Sequence, residues 1–500
     1  MAKGDRDGFG LRWRVGARLA AAVLALAGAL AVPGVAQAAR ANPLGFARAF
    51  LCTADPAAAS TVPGWVILSG SPALRCARSL RGIWPGTRIP RVAIASGPYG
   101  ASTLERVIPL RAAAAVRRHL RLTALFAASG RGGAHAVLSA EFLGASGRAL
   151  GAAIVLRGPA PAGPVGAPRF AARRVARRIP RDTAALRLIL DLDGEGGRSG
   201  SYVASMRLAV DPRARFPPPA PPPTRVPRFA HVILIMMENT DYRQVIGDSK
   251  NAPYINSLAA RGALLANYQA VYHPSDENYL AIAGGSTFVR GGAYFPHIHI
   301  AARNLGDLLE AAGETWMAYE QGMGTPCNTT TRYDRYYEPD DAPFILFDDI
   351  RDDRRRCREH LVGLREWPKD LRHIATTSAF AWLAADDYDD GELPGNGSPR
   401  SLRVQDAWLR RTLQPLFRSR AWRDQKSLLI LTWDESDTTA NNHVAAIVVG
   451  SRGTVRAGYV SRVRYDHYST ARTIETALGL PSMTSNDGYA RTFNDVFVGR

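Results

Sequence analysis

Lysine is nearly absent from this 500-residue chain: four of its 63 basic side chains are lysine and the rest arginine. With alanine and glycine abundant, that skew points to genomic base composition rather than function. Long apolar runs are also missing. Outside the N-terminal stretch none reaches the ~18 residues a spanning helix needs, which sets aside a bundle of membrane helices. Cysteine is limited to Cys52, Cys76, Cys327 and Cys357, with no C-x-x-C spacing to support a thiolate zinc site. What is present is ordinary for a globular protein, 46% hydrophobic and 21% charged, which argues against global disorder. At about 150 residues per domain, the length allows two or three domains.

The net charge of +19 is unevenly placed. Residues 1–230 carry 33 basic and 10 acidic side chains, residues 231–500 carry 30 and 34. A basic N-terminal half favours anionic partners such as an envelope polysaccharide. Its arginines are scattered, apart from Arg173, Arg174, Arg177, Arg178 and Arg181, so no nucleic-acid partner is expected. Residues 1–38 read as a signal peptide. Arg12, Arg14 and Arg18 precede an apolar run, Leu19 to Val32, and Ala36-Gln37-Ala38 forms a small-residue cleavage site. The expectation is a secreted or periplasmic protein. In that oxidising setting, two cysteines in each half suggest the disulfides Cys52–Cys76 and Cys327–Cys357.

A proline-rich segment at 213–229, containing FPPPAPPPTRVP, reads as a semi-rigid linker. Before it, residues 39–212 hold short β-like runs between glycine and proline punctuation: Gly64 to Leu68, Leu120 to Leu125, Ala152 to Leu156, Leu186 to Leu192 and Tyr202 to Val210. Their spacing predicts an all-β sandwich. After it, residues 230–500 alternate buried-type strands, HVILIMM, SLLILTW and VAAIVVG, with the helical patterns Tyr254 to Gly262, Asn304 to Ala312 and Val404 to Phe417. That alternation predicts an α/β fold with a mostly parallel sheet flanked by helices.

In such sheets ligands bind beyond the carboxyl ends of the strands. Two strands there run into acids, Glu238-Asn239 and Asp434-Glu435. Buried carboxylates are costly unless paired or metal-bound, so the two pairs are candidate ligands of one divalent cation of unspecified identity; the alternative is two solvated loop starts. Ser275 precedes a helical pattern, where backbone N–H groups suit a phosphate, though a helix cap would look the same. His443 follows the Asp434-Glu435 loop directly and His467 lies in Tyr465-Asp466-His467-Tyr468-Ser469; His231 opens a strand and reads as structural, and His297 and His299 have no clear role. Ser275 is not set in a G-x-S-x-G elbow, which disfavours a Ser/His esterase.

Taken together, HVILIMMEN-x-x-Y, APYINSLAARGALLANYQAVYHPS-x-x-NYLAIAGGS, TWDES and YDHYSTARTIETALGLP resemble the bacterial phosphoesterase family of acid phosphatases and phospholipases C, within the alkaline phosphatase superfamily. The resemblance implies an alkaline-phosphatase-like fold for 230–500 and a metal-dependent hydrolase acting through a phosphoserine. By position it implies Glu238, Asn239, Asp434 and Glu435 as metal ligands, with Ser275 as nucleophile and further ligand. Asn278 would bond a phosphoryl oxygen, and His443 and His467 would assist. The substrate would be a phosphate ester, a phospholipid among the options. In the first module, Arg178 to Val210 resembles the closing strands of jelly-roll, galactose-binding-like modules.

The chain departs from that family's pattern. Glu277 stands where many relatives have proline. Asp340-Asp341-Ala342-Pro343-Phe344 replaces a Lys-His-Asn-Pro-Phe segment, and Glu392 stands where relatives have histidine. Asp386, Asp389 and Asp390 then become candidates for a further cation. These losses also admit a second reading, a catalytically degenerate binding protein that uses the fold as a scaffold.

Overall fold

The structure is a computed structural model that describes residues 62, 64–70, 72–76, 92–96, 101–110, 119–130, 135–159, 170–194, 199–210, 221–288, 295–330, 335–437 and 442–499. The signal-like segment, Cys52 and the first part of the proline-rich linker lie outside the described residues.

The first module is built from ten strands: β1 Val66–Ser69, β2 Ala73–Cys76, β3 Val92–Ala95, β4 Ser102–Pro109, β5 His119–Gly130, β6 Ala136–Leu143, β7 Ile154–Arg157, β8 Ala171–Arg178, β9 Ala185–Leu192 and β10 Ser199–Val210. They form two five-stranded antiparallel sheets, β1-β4-β9-β6-β7 and β2-β3-β10-β5-β8. Strict alternation explains why two sheets face each other. Leu186, Leu188, Leu190 and Leu192 of β9 point inward, and Leu120, Leu122 and Phe126 of β5 meet them in one core. In the turn into β9, the Thr183 hydroxyl donates to the Pro180 carbonyl at 2.8 Å. The arginine cluster lies on β8, an edge strand, where Arg173, Arg174, Arg177 and Arg178 are exposed. Charge of that density on an edge discourages pairing with another chain.

The second module holds β11 His231–Met237, β12 Ala263–Leu265, β13 Tyr268–Gln269, β14 Trp316–Glu320, β15 Leu361–Gly363, β16 Phe380–Ala384, β17 Ser427–Trp433, β18 His443–Val444, β19 Ala446–Gly450, β20 Tyr459–Ser461 and β21 Tyr465–Asp466. Eight of them make one sheet, in the order β15-β14-β16-β11-β17-β19-β12-β20. The run from β15 to β17 is wholly parallel, and β19 is antiparallel to both neighbours. Every residue of β11 and β17 is buried, because helices cover both faces. The three anticipated helices are found at Pro253–Arg261, Leu305–Ala311 and Pro399–Arg418.

Cys327 and Cys357 are bonded, as their placement in one half suggested. The last linker residues are fastened to the second module: Asn494 accepts from the Arg225 N–H at 2.6 Å and donates to the Pro223 carbonyl at 2.8 Å. Among the described residues no helix is long and apolar enough to cross a membrane.

Leu234, at the middle of β11, is fully buried in this core. Leu234→Ala should lower the unfolding free energy by roughly 2–5 kcal/mol, read as a shifted denaturant midpoint in tryptophan fluorescence. An unchanged midpoint would contradict the assigned strand.

Candidate active site

The parallel register fixes where the acids fall. Met237 pairs with Trp433, and Glu320 pairs with Ala384. Four neighbouring strands therefore end side by side, in the order β14, β16, β11, β17. The residues at or just past those ends are Glu320, the 386–390 loop, Glu238 and Asp434. With strands about 4.8 Å apart, the row is roughly 15 Å long.

Glu238 and Asp434 are both buried. The Asp434 N–H donates to the Met237 carbonyl at 2.9 Å, and the Asn239 N–H donates to Asp434 Oδ1 at 2.8 Å. That second bond is set by Asn239 in the left-handed region at φ 34°. Glu238 collects three donors: Tyr279 Oη–H on Oε1 at 2.6 Å, and Asn239 Nδ2–H and Ser275 Oγ–H on Oε2 at 2.7 and 3.1 Å. Burial, and then the charge of Asp434, hold Glu238 well above the usual carboxylate range. Burial and the adjacent Glu435 push Asp434 up to about 8. Burial, then Glu392, does the same to Glu435, also to about 8.

Ser275 sits directly before the helix Asp276–Gly284, half-buried, with its hydroxyl on Glu238. Tyr279, four residues on and one helical turn away, reaches the same carboxylate. Sequence reasoning missed Tyr279, and that i, i+4 spacing from Ser275 was the available signal. It also missed His273, whose Nδ1 lies 2.7 Å from Glu435 Oε2.

Asn278 is placed differently from the role implied by the family resemblance. It is fully buried, and its Oδ1 accepts from the Val271 and Tyr272 N–H groups, both at 3.0 Å. Its Nδ2 donates to the Tyr272 and Pro274 carbonyls at 3.1 and 3.3 Å. The amide thus clamps the loop that delivers Ser275, and contact with a phosphoryl oxygen would require breaking one of these bonds. His467 is also fully buried, with Nε2 on the Asp434 carbonyl at 2.7 Å and Nδ1 on the Tyr268 hydroxyl at 2.8 Å. Burial pushes its pKa down to about 4, so it is neutral and bears on the site through the Asp434 backbone. His443 Nε2 bonds the Ala266 carbonyl at 3.0 Å, and its ring stacks on Tyr242.

The 386–390 loop divides its acids. Gln321 Nε2 donates to Asp386 at 2.7 Å and Asp389 at 2.9 Å, and Arg411 pairs with Asp389 at 3.2 Å. Asp387 and Asp390 instead turn toward Asp341, so Asp341, Asp387 and Asp390 form the acid cluster rather than Asp386, Asp389 and Asp390. Asp390 also joins the first group, its carbonyl accepting from the Glu238 N–H at 3.4 Å.

The donors around Glu238 fit a hard divalent cation. Glu238, Asn239, Ser275 and Asp434 offer oxygen atoms, and Asp434 Oδ2 is buried with no hydrogen-bond donor; Glu435 instead has its Oε2 2.7 Å from His273 Nδ1. Among the described residues neither Glu238 nor Asp434 is ion-paired to Arg, Lys or His. Uncompensated buried carboxylates cost several kcal/mol each, which a bound cation would offset.

Asn278→Ala should lower the melting temperature, since a single truncation orphans several buried partners at roughly 1–3 kcal/mol each. Calorimetry checks this. A variant that melts like the parent but turns over slowly would instead make Asn278 a substrate contact.

The phosphoesterase family profile matches residues 248–481, a span that begins beyond Glu238. A phosphatidylinositol-3-phosphatase of Mycobacterium tuberculosis is 32% identical over 268 residues, covering 53% of this chain and 81% of that protein. A probable acid phosphatase of Kluyveromyces lactis is 28% identical over 54% of this chain and 62% of its own length. The chain thus spans less than two thirds of that fungal relative. Among solved structures, an alkaline phosphatase superfamily protein from Vibrio parahaemolyticus aligns over 55% of this chain and 71% of that one, at 12% identity and a TM-score of 0.39. The family profile and the mycobacterial relative place this chain in the phosphoesterase family, as a hydrolase acting on phosphoester bonds.

Proposed function

We propose that the second module hydrolyses phosphate monoesters through a phosphoserine on Ser275, with a divalent cation held by Glu238, Asn239, Asp434 and Glu435. The observation that supports this most directly is the 3.1 Å bond from the Ser275 hydroxyl to Glu238, at the ends of two adjacent parallel strands. A serine hydroxyl needs a base or a cation to become a nucleophile. The cation would supply the positive charge that lowers the Ser275 pKa and offsets charge on the phosphoryl oxygens.

The chain's own groups do the rest. Ser275 Oγ bonds to phosphorus as its proton passes to Glu238 Oε2, and the ester oxygen leaves with a proton from water. The hydroxide left by that water then attacks the phosphoserine, the P–Oγ bond breaks, inorganic phosphate departs, and the proton returns from Glu238 to Ser275. Tyr279 and Asn239 hold the Glu238 carboxylate in place throughout. The names of the relatives, an acid phosphatase and a phosphatidylinositol phosphatase, support a monoester substrate. A phosphorylated lipid headgroup is therefore the first natural ester to test, ahead of the diester of a phospholipase C. The N-terminal signal-like segment supports secretion, and the β sandwich with its proline-rich linker is proposed as an accessory module.

Ser275→Ala should reduce hydrolysis of p-nitrophenyl phosphate by roughly 10³-fold or more, with an unchanged melting temperature. Retained turnover would remove Ser275 from the reaction. EDTA should abolish activity, and Asp434→Asn should carry less metal by elemental analysis than the parent. An unaltered metal content would exclude Asp434 as a ligand.

A further inference from the structure

The two sheets of the β sandwich are charged unequally. The strands of β1-β4-β9-β6-β7 carry the acids Glu105, Glu141 and Asp191. Arg187 bonds Glu105 at 2.6 Å and Glu141 at 3.5 Å, and Asp191 accepts from the Thr103 hydroxyl at 2.9 Å. The strands of the opposite sheet, β2-β3-β10-β5-β8, contain no Asp or Glu. Their charge is arginine.

Register sets where that arginine points. Leu120, Leu122 and Phe126 of β5 face the core, so Arg121 and Thr123 face out. Arg174 of β8 pairs with Thr123 on one side, and Arg207 of β10 pairs with it on the other. Arg178 pairs with His119, two residues along β5 from Arg121. Arg121, Arg174, Arg178 and Arg207 therefore share one outward face, and all four are exposed. Strands about 4.8 Å apart, with a two-residue repeat of about 6.8 Å, put their Cα atoms within roughly 10 by 14 Å. Among the described residues the ion pairs of this module lie elsewhere, on Arg187 and His135. Thr123, Ala176 and Ala209 stand between the arginines, and their short side chains leave the guanidinium groups reaching farthest into solvent. No Phe, Tyr or Trp stands among them, so the face lacks the stacking platform on which single-stranded bases rest.

We infer that this arginine face seats the protein on the phosphate layer of an anionic lipid bilayer. Guanidinium groups bond phosphate oxygens two at a time, and a cluster of four or more basic side chains is what an anionic leaflet attracts. The choice of a lipid surface over another polyanion rests on the phosphoesterase reading, in which a phosphorylated headgroup is the ester. The proline-rich stretch joins the sandwich to the hydrolase module in one chain. Seating the first module thus raises the concentration of headgroups that the second meets.

The test is sedimentation of the full-length protein with phosphatidylcholine vesicles, with and without phosphatidylglycerol. Partitioning of the parent should rise steeply with phosphatidylglycerol. Raising the ionic strength from about 0.1 M to about 1 M, which shortens the Debye length from about 10 to about 3 Å, should reverse that rise. A basic side chain near an anionic leaflet contributes about fivefold in partitioning. Arg121→Gln should therefore cost about fivefold, and the triple variant Arg121→Gln, Arg174→Gln and Arg207→Gln roughly a hundredfold. Arg418→Gln, which removes an exposed arginine of the second module, should bind like the parent. The substituted side chains are all exposed, so melting temperature and p-nitrophenyl phosphate turnover should match the parent. Partitioning that does not rise with phosphatidylglycerol, or a triple variant that sediments like the parent, overturns the inference. Arginine-dependent retention on immobilised heparin without sedimentation on phosphatidylglycerol vesicles also overturns it, in favour of a soluble polyanion. A parent that hydrolyses p-nitrophenyl phosphate but ignores anionic vesicles sinks the docking face alone. One that binds them through these arginines and hydrolyses no phosphate ester sinks the hydrolase reading and leaves the docking face standing.

Discussion

Parallel hydrogen bonding between β14, β16, β11 and β17 is the constraint from which the site follows. Parallel strands in register end together, and their carboxyl ends open on one side of the sheet. The chain places an acid at or just beyond each of those four ends. Glu238 and Asp434, nearly two hundred residues apart, become neighbours because Met237 and Trp433 are paired. A slip of one residue in β17 would turn Asp434 to the opposite face, and the Asn239 N–H would lose its acceptor. The all-apolar strands behind the site therefore do more than fill a core, since their burial on both faces specifies the register.

That arrangement has an electrostatic cost, visible in the direction of the shifted acids along the row. Glu238, Glu320, Asp341 and Asp390 are held well above their ordinary range, with burial the first cause in each case. The protein relieves only part of this with its own donors. Tyr279, Asn239 and Ser275 serve Glu238, and Gln321 with Arg411 serves Asp386 and Asp389. Both Glu320 oxygens, Asp341 Oδ2 and Asp434 Oδ2 lack donors where strand ends converge, which is how a fold looks when its charge is to be balanced by something other than its own side chains.

Much of this was legible in the sequence. Strands buried on both faces read as unbroken apolar runs, so β11, β17 and β19 announced themselves, and period-two alternation marked the sandwich strands such as β9. The acidic residues at strand ends could be picked out for the same reason. Hydrogen-bond direction was not legible. Asn278 sits where the family resemblance implies a phosphoryl contact, yet its amide is consumed by the Val271–Pro274 loop. The division of the 386–390 loop was equally hidden, because successive residues of a turn point in directions set by backbone geometry. Only the fold shows that Gln321 claims Asp386 and Asp389 and leaves Asp387 and Asp390 to Asp341.

The groups that touch neither ester nor cation explain why the site can be rigid although it lies on loops. Asn442 donates to the Tyr272 carbonyl at 2.7 Å and accepts from the Ser436 N–H at 2.9 Å. That one side chain joins the loop that carries Ser275 to the loop that carries Asp434 and Glu435. From below, His467 fixes the Asp434 carbonyl while Tyr268, itself bonded to Thr470 at 2.6 Å, fixes His467. Each of these links is neutral and buried or part-buried, so neither pH near neutrality nor salt disturbs it. Charge is thereby confined to the row of strand ends, and the groups that hold the row in place carry none.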